Sequence, residues 1–85
     1  MLVSTDVYVY ILKCSDNTFY TGITKNLDRR INEHEAGRAS YTKKRLPVCL
    51  VYYAECEGYI NARGLEKYIK NMGARKYLNK QQIIA

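Results

Sequence analysis

Residues 6–14 are the first stretch in which hydrophobic side chains are predicted to alternate between two faces. β-Branched, aromatic and aliphatic residues dominate this stretch, which predicts a β-strand. One face would carry Val7, Val9 and Ile11, and the other Tyr8, Tyr10 and Leu12. Turn-forming residues at 15–17 lead into a second strand pattern at 18–23, on which Tyr20 shares a face with Gly22. The two strands are therefore predicted to pair as an antiparallel hairpin.

The segment after the hairpin has the spacing of a short amphipathic helix. Leu27 and Ile31 lie one helical turn apart and would face the core. Either Thr24 or Asn26 can cap the start of this helix, and Gly37 is placed to end it.

Two candidate functional side chains lie on that predicted helix. Arg30 and the single histidine, His34, are four residues apart and so share one helical face, whereas Arg29 points elsewhere. A lone histidine on a short helix is most often a surface residue, so its position alone does not assign a function.

The second half of the chain predicts one strand and two helices. The near-continuous apolar run at 48–55 is typical of a strand in the buried centre of a sheet. A long helix follows at about 59–72, and Gly73 would end it. Its predicted buried stripe is Leu65, Tyr68, Ile69 and Met72.

The last residues complete the predicted architecture. Residues 74–82 can form a short basic helix, and residues 83–85 are expected either to pack on the body or to fray. The element order β-β-α-β-α-α predicts an α+β fold, a three-stranded antiparallel sheet flanked by helices. With 85 residues, the chain is expected to form one domain over residues 1–85, because two self-sufficient cores need a longer chain.

The positive charge of the chain is unevenly placed. The formal net charge is +6, and the excess of bases is concentrated in residues 25–45 and 66–80. Such a distribution favours a positive surface for a polyanion, most often nucleic acid, over a charge that serves solubility alone.

Cysteines and hydrophobic runs bear on location. The three cysteines include no Cys-x-x-Cys pair, a pattern that fits neither a zinc site nor a disulfide framework. No apolar run approaches the ~20 residues of a membrane span, and no signal-peptide pattern opens the chain. We therefore expect a cytoplasmic protein with reduced cysteines and no membrane contact.

Residues 38–45 form a basic run without an acid. Lys43, Lys44 and Arg45 can clamp phosphates while Tyr41 packs on a sugar or base. A solvated basic loop is an equally good interpretation of this segment by itself.

Taken together, these motifs resemble the GIY-YIG endonuclease domain along almost the whole chain. Val9-Tyr10 resembles the end of the family's first triplet, and Tyr20-Thr21-Gly22, ten residues on from Tyr10, resembles the second. Arg30, a further ten residues along, stands where the family carries its catalytic arginine, and His34 matches a position often held by histidine or tyrosine. Glu66, on the later helix, resembles the family's metal-binding glutamate.

The sequence departs from the family pattern at several positions. Tyr8 stands where the first triplet has glycine. Ile23 stands where some members have a lysine, which leaves Lys25 as the substitute. Of the two candidates for a distal asparagine, Asn71 and Asn79, neither is assigned. Members of the family often rely on an additional domain or a partner for substrate choice; no such domain is expected here, so a protein partner is expected to help choose the substrate.

The resemblance implies a divalent-metal-dependent endonuclease that hydrolyses DNA, with flap, branched or single-stranded DNA in repair or recombination as candidate substrates and RNA as the alternative polymer. Glu66 would hold Mg²⁺ or Mn²⁺, since one carboxylate suffices when phosphates and waters supply the other ligands. Arg30 would bind the nonbridging oxygens. Tyr10 or Tyr20, its pKa lowered by nearby cations, would take a proton, and His34 would share the proton transfer or contact phosphate.

Other interpretations remain open from the sequence. Glu66 also fits an ion pair with Lys70 on an exposed helix face. The whole chain can act as a noncatalytic DNA- or RNA-binding module that uses the same basic surface. A third interpretation is an interaction protein that docks a partner through Tyr52, Tyr53 and Tyr59. We expect a monomer.

Overall fold

The computed structural model describes residues 6–81 and has the predicted α+β architecture. Its elements are β1 (Asp6–Cys14), β2 (Phe19–Thr24), α1 (Leu27–Glu35), β3 (Val48–Glu57), α2 (Gly58–Met72) and α3 (Ala74–Lys80). The order β-β-α-β-α-α is therefore confirmed, and the expectation for residues 83–85 lies outside the described residues.

The three strands form one antiparallel sheet in the order β2-β1-β3. The prediction that residues 48–55 lie at the centre of the sheet is wrong, because β3 is an edge strand and Tyr53 on it is 57% exposed. Strand β1 occupies the centre instead, since it pairs with a strand on each side and packs against side chains on both of its faces.

The predicted alternation along β1 separates two hydrophobic cores. On one face, Val7, Val9 and Ile11 pack with buried residues of α2 and α3: Ala62, Ile69, Tyr77 and Leu78. On the other face, Tyr10 and Leu12 pack with partly buried residues of α1, Leu27 and Ile31. Helices thus cover both faces of the sheet, with α1 on the side of Tyr10.

The buried stripe of α2 differs from the prediction at one position. Ile69 is fully buried, and Leu65 and Met72 pack against the same core. Tyr68 is 49% exposed, and fully buried Ala62 completes the stripe instead. A tyrosine at the margin of the apolar stripe keeps its hydroxyl near water while its ring packs edge-on against Tyr77, at a centroid distance of 6.1 Å.

Local signals at the ends of α1 fix the direction of its side chains. Of the two predicted capping residues, Asn26 is the N-cap, and its side-chain oxygen accepts a hydrogen bond from the backbone N–H of Arg29 at 3.0 Å. Gly37, just after the helix, has a φ of 77°, which glycine adopts readily. No helix within residues 6–81 is long and apolar enough to cross a membrane.

Candidate active site

A hydrogen bond joins Tyr10 of β1 to His34 of α1. The hydroxyl of Tyr10 lies 2.9 Å from Nε2 of His34, and the two rings meet edge-on. Tyr10 is 1% exposed and His34 is 0% exposed. The default expectation of a surface histidine is therefore wrong, because the helix turns the face that carries His34 onto the Tyr10 side of the sheet.

Thr42 holds the other nitrogen of the same ring. Its Oγ1 lies 2.6 Å from Nδ1 of His34, and Thr42 is fully buried. Two hydrogen bonds, one at each ring nitrogen of His34, thus form the linear chain Tyr10–His34–Thr42. Sequence reasoning missed Thr42 because it lies within a run dominated by bases. The sequence offered one indication: Thr42 carries a hydroxyl and lies in a segment close enough after the helix to fold back on it.

Burial decides the charge of the histidine. Desolvation lowers the pKa of His34, and the positive charge of Arg30 acts in the same direction. The ring is accordingly neutral at pH 7, with one N–H to donate and one nitrogen free to accept.

Tyr20 and Tyr41 extend this cluster toward the surface. The ring centroid of Tyr20 lies 5.0 Å from that of His34 and 5.5 Å from that of Tyr41. Tyr41 is 38% exposed. A row of aromatic rings therefore leads outward from the buried histidine.

Gly22 of β2 leaves the space that the Tyr10 hydroxyl occupies. The two residues are paired across β1 and β2, and a Cβ added at Gly22 would lie 2.6 Å from the hydroxyl oxygen of Tyr10. Any side chain there would push the phenol away from His34. The glycine of the second triplet thus has a steric reason in this structure.

Arg30 lies beside both tyrosines of the cluster. Its Nη1 donates to Oε1 of Glu33 at 2.9 Å, and this ion pair is the main reason that the pKa of Arg30 is raised. The hydroxyls of Tyr10 and Tyr20 contribute in the same direction. Arg30 thus brings a permanent positive charge to the two phenol groups.

That charge does not dominate at Tyr10. Burial raises the pKa of Tyr10 to about 12, although Arg30 opposes the shift. Arg30 by itself therefore does not bring the pKa of this tyrosine below its ordinary value, and Tyr10 stays protonated at neutral pH.

Glu66 is the only acidic residue of α2 and lies within electrostatic reach of the cluster. Its negative charge is among the causes that raise the pKa of Tyr10. Its Oε2 lies 3.2 Å from Nζ of Lys70, and its side chain is 21% exposed. The ion pair anticipated as the alternative for Glu66 is thus present, but its carboxylate is partly shielded.

The donor set at Glu66 fits a hard divalent cation that keeps most of its waters. Within the described part of the chain, no three His, Cys, Asp or Glu side chains gather into a group that could hold a metal by themselves. A partly exposed carboxylate supplies one oxygen ligand, which is how Mg²⁺ is often bound beside substrate phosphates. Lys70 places a positive charge at the same oxygen, which shows that the position accommodates a cation.

The segment 38–45 is anchored to the hairpin rather than free in solvent. The guanidinium of Arg45 lies 4.1 Å from the ring centroid of Tyr41, and its Nε donates to Asp16 at 3.1 Å. Lys43 and Lys44 are exposed. Two of the predicted phosphate-binding cations are therefore accessible, whereas the third also has a structural role.

Lys25 makes a different set of contacts. Its ammonium lies 5.8 Å from the ring centroid of Tyr59, and it lines a surface depression together with Asp28 and Glu55. The neighbouring carboxylates make this depression less suited to phosphate than the segment 38–45.

Comparison with known proteins identifies the family of the chain. The GIY-YIG catalytic domain matches residues 6–80, and the chain belongs to this family. Membership implies a nuclease, a class of enzyme that binds DNA, and nucleases of this family typically depend on divalent metal.

Relatives of similar length have similar sequences. The chain is 40% identical over 84 residues to a UPF0213 protein of Natronomonas pharaonis, covering 98% of this chain and 95% of that one. It is 50% identical over 66 residues to a UPF0213 protein of Clostridium perfringens, covering 76% and 71% of the two chains. The solution NMR structure of a UPF0213 protein from Bacillus halodurans is similar with a TM-score of 0.58 and 37% identity, covering 91% of this chain and 83% of that one.

Proposed function

We propose that this protein is a divalent-metal-dependent endonuclease that hydrolyses DNA phosphodiester bonds with the Tyr10–His34–Thr42 chain, Arg30 and Glu66. The single observation that carries the proposal is the buried hydrogen bond between Tyr10 and a neutral His34, next to the cation of Arg30. Burying a chain of polar groups costs desolvation free energy, and a nuclease can use each of these groups to bind phosphate or to transfer a proton.

Arg30 is proposed to bind the scissile phosphate. Its guanidinium can offer two parallel N–H donors to nonbridging oxygens, where negative charge grows as the water attacks. Glu33 holds the guanidinium in place through Nη1 and keeps it oriented toward the two tyrosines.

Tyr10 is proposed to pass a proton rather than to ionise. The attacking water gives its proton to the hydroxyl oxygen of Tyr10 while the phenol proton moves to Nε2 of His34, so that no phenolate forms. This route agrees with a tyrosine whose pKa is raised to about 12 and with a histidine that is neutral at pH 7. Thr42 then accepts a hydrogen bond from Nδ1–H and keeps Nε2 free to receive the proton. Tyr20 is the alternative acceptor, since Arg30 also lies beside its hydroxyl.

Glu66 is proposed to hold Mg²⁺ or Mn²⁺ once Lys70 has turned away from its carboxylate. The bound cation would neutralise charge on the phosphate and the departing 3′ oxygen. Lys70 is exposed on α2 and is therefore free to swing outward when a divalent ion takes its place.

The test is cleavage of plasmid, flap, junction and single-stranded DNA by the pure protein with Mg²⁺ or Mn²⁺. Replacing Arg30 by Ala is expected to lower kcat by about 10²–10³-fold, and Glu66→Ala to abolish metal-dependent turnover. Arg29→Ala is the matched control, because the side chain of Arg29 is 75% exposed and its ion pair with Glu33, at 3.8 Å, is longer than that of Arg30. Equal activity of wild type, Arg30→Ala and Glu66→Ala would refute the assignment.

A noncatalytic nucleic-acid-binding module is the second candidate, favoured by the exposure of Lys43 and Lys44. It predicts salt-dependent binding and no cleavage with either metal. The docking role of tyrosines has less support, since Tyr52 is partly buried and its hydroxyl is hydrogen-bonded to Tyr77 at 2.8 Å. We further propose that the protein acts as a single-domain monomer in the cytoplasm and that a protein partner directs it to its substrate.

A further inference from the structure

A groove of about 520 Å³ lies between β2 and the junction of α2 with α3. Its wall residues combine three aromatic rings with two cations: Phe19, Tyr20, Tyr41, Lys70 and Arg75. The size falls within the ~300–1,000 Å³ typical of sites for small ligands and is suited to one nucleotide rather than to a whole duplex.

The groove adjoins the proposed catalytic groups on two sides. Tyr20 belongs to both, since its ring lines the groove and also lies 5.0 Å from that of His34. Lys70 connects the other side, because its Nζ lies 3.2 Å from Glu66. A nucleotide bound in the groove would therefore lie next to a phosphate bound at the catalytic groups.

Arginines hold two of the aromatic walls in place. The guanidinium of Arg45 lies 4.1 Å from the ring centroid of Tyr41, and that of Arg75 lies 4.9 Å from the centroid of Phe19. Arg75 is in addition fixed by a hydrogen bond of 3.0 Å to the carbonyl oxygen of Asn17. The walls are thus preorganised and positively charged.

This combination selects among nucleic-acid structures. Aromatic rings bind nucleobases by stacking, and the neighbouring cations complement the phosphates on either side. In a duplex the base faces are covered by their neighbours, so only an unpaired base can offer a face to such a groove. We propose that the groove binds an unpaired nucleotide beside the scissile phosphate, so that the preferred substrate carries a single-stranded DNA segment; this rests on the proposed nuclease function.

Binding without turnover tests the groove separately from catalysis. A fluorescent single-stranded DNA oligonucleotide and a blunt duplex of the same sequence are titrated with the full chain in EDTA. Wild type is expected to prefer the single strand, and Tyr41→Ala to weaken single-strand binding about fivefold or more while changing duplex binding much less. Tyr41→Phe keeps the ring and is expected to bind as wild type does.

A second variant, on a different element, guards against a local folding defect at Tyr41. Arg75→Gln is expected to weaken single-strand binding, whereas its neighbour Lys76→Gln, exposed on α3, serves as the charge-matched control. Tyr53→Ala is the control for an exposed tyrosine, since Tyr53 lies on the edge strand β3. The thermal unfolding midpoint of each variant reports whether it folds.

The outcomes separate the two proposals. Equal weakening of single-strand and duplex binding, or no weakening in either groove variant, would overturn the nucleotide site and leave the nuclease function to its own test. Selective single-strand binding by a protein that cleaves nothing with Mg²⁺ or Mn²⁺ would support the groove and refute the nuclease function.

Discussion

Thr42 belongs to none of the family motifs. It would act on the proposed chemistry only through its hydrogen bond to His34. Replacing Thr42 by Val keeps the shape but removes the hydroxyl, which leaves Nδ1 of a buried ring without its partner. We expect a loss of stability of about 1–3 kcal/mol from the unpaired buried group. We also expect kcat to fall with little change in KM, since Thr42 does not contact substrate.

The conservative variant distinguishes positioning from packing. Thr42→Ser restores the hydroxyl but not the methyl group, so it is expected to recover kcat more fully than stability. Ser40→Ala, at an exposed position in the same segment, is the control. If Thr42→Ser remained as inactive as Thr42→Val, the hydrogen bond to His34 would have no part in catalysis.

His34 gives a direct titration because it is the only histidine of the chain. Burial and Arg30 lower its pKa, so its ring signals in NMR are expected to titrate with a midpoint below the ordinary value of ~6.5. As pH falls through that midpoint the ring gains a proton and can no longer accept one, and kcat is expected to fall with it. The free energy of unfolding is expected to fall over the same pH range. A histidine whose pKa is lowered in the folded state stabilises the fold above ~6.5, and this stabilisation is lost as the pH falls through the folded-state pKa.

The cause of that shift can be checked in the same experiment. Arg30→Ala removes a positive charge near the ring and should move the midpoint upward. Arg29→Ala should leave the midpoint unchanged. A midpoint at or above the ordinary value in the wild type would contradict a buried, neutral histidine.

At the scale of elements, the close approach of β1 and β2 is the feature on which the cluster depends. Gly22→Ala would place a Cβ 2.6 Å from the Tyr10 hydroxyl oxygen and 3.0 Å from a ring carbon of Tyr20. We expect a destabilisation of about 1–3 kcal/mol, because one of the two rings must move, and a loss of activity as Tyr10 separates from His34. Chemical denaturation and cleavage assays measure the two effects.

Gly64 provides the matched control for this substitution. It lies within α2, and a Cβ there would have nothing within 4 Å. Gly64→Ala is therefore expected to keep full activity and to gain up to ~1 kcal/mol from helix propensity. Comparable losses in both variants would mean that the steric contact at Gly22 is not the cause.

The elements also show what the sequence could predict. The two faces of β1 and the core-facing positions Leu27 and Ile31 of α1 follow from local periodicity and were predicted correctly, whereas the burial of His34 was not. The central strand was not, because an apolar run reports hydrophobicity but not which strands become neighbours. Strand order depends on pairing between residues distant in sequence.

The candidate site shows the same limit. The residues in family spacing, such as Tyr10 and Arg30, were proposed from the sequence, and the structure brings these two side by side. Thr42 and the groove wall at Arg75 carry no motif of their own, since they reach the cluster only through the folding of distant segments. The raised pKa of Tyr10 could not be predicted either, because it depends on how deeply the folded protein buries this side chain.

At the scale of the whole molecule, the residues of the proposed active site come from both sides of the sheet. Tyr10 and His34 belong to the side covered by α1, whereas Glu66 comes from α2, which packs on the other side. The ring of Tyr20, on the edge strand β2, lies 5.0 Å from that of His34 and also lines the groove that Lys70 lines. A phosphate bound at the β2 edge can therefore meet groups from both helices.

The net charge of +6 gives the last prediction, which concerns binding to DNA as a whole. Lys43 and Lys44 are exposed in the segment that also carries Tyr41, so each is expected to contact one phosphate. The double variant Lys43→Gln/Lys44→Gln should reduce the slope of log binding constant against log salt by about 1.4–1.8, the value for two released phosphate contacts. Arg45 is left intact because its bonds to Asp16 and to the Tyr41 carbonyl oxygen hold the segment in place. Cleavage should show a raised KM with kcat retained, and an unchanged salt slope would place the phosphate contacts elsewhere.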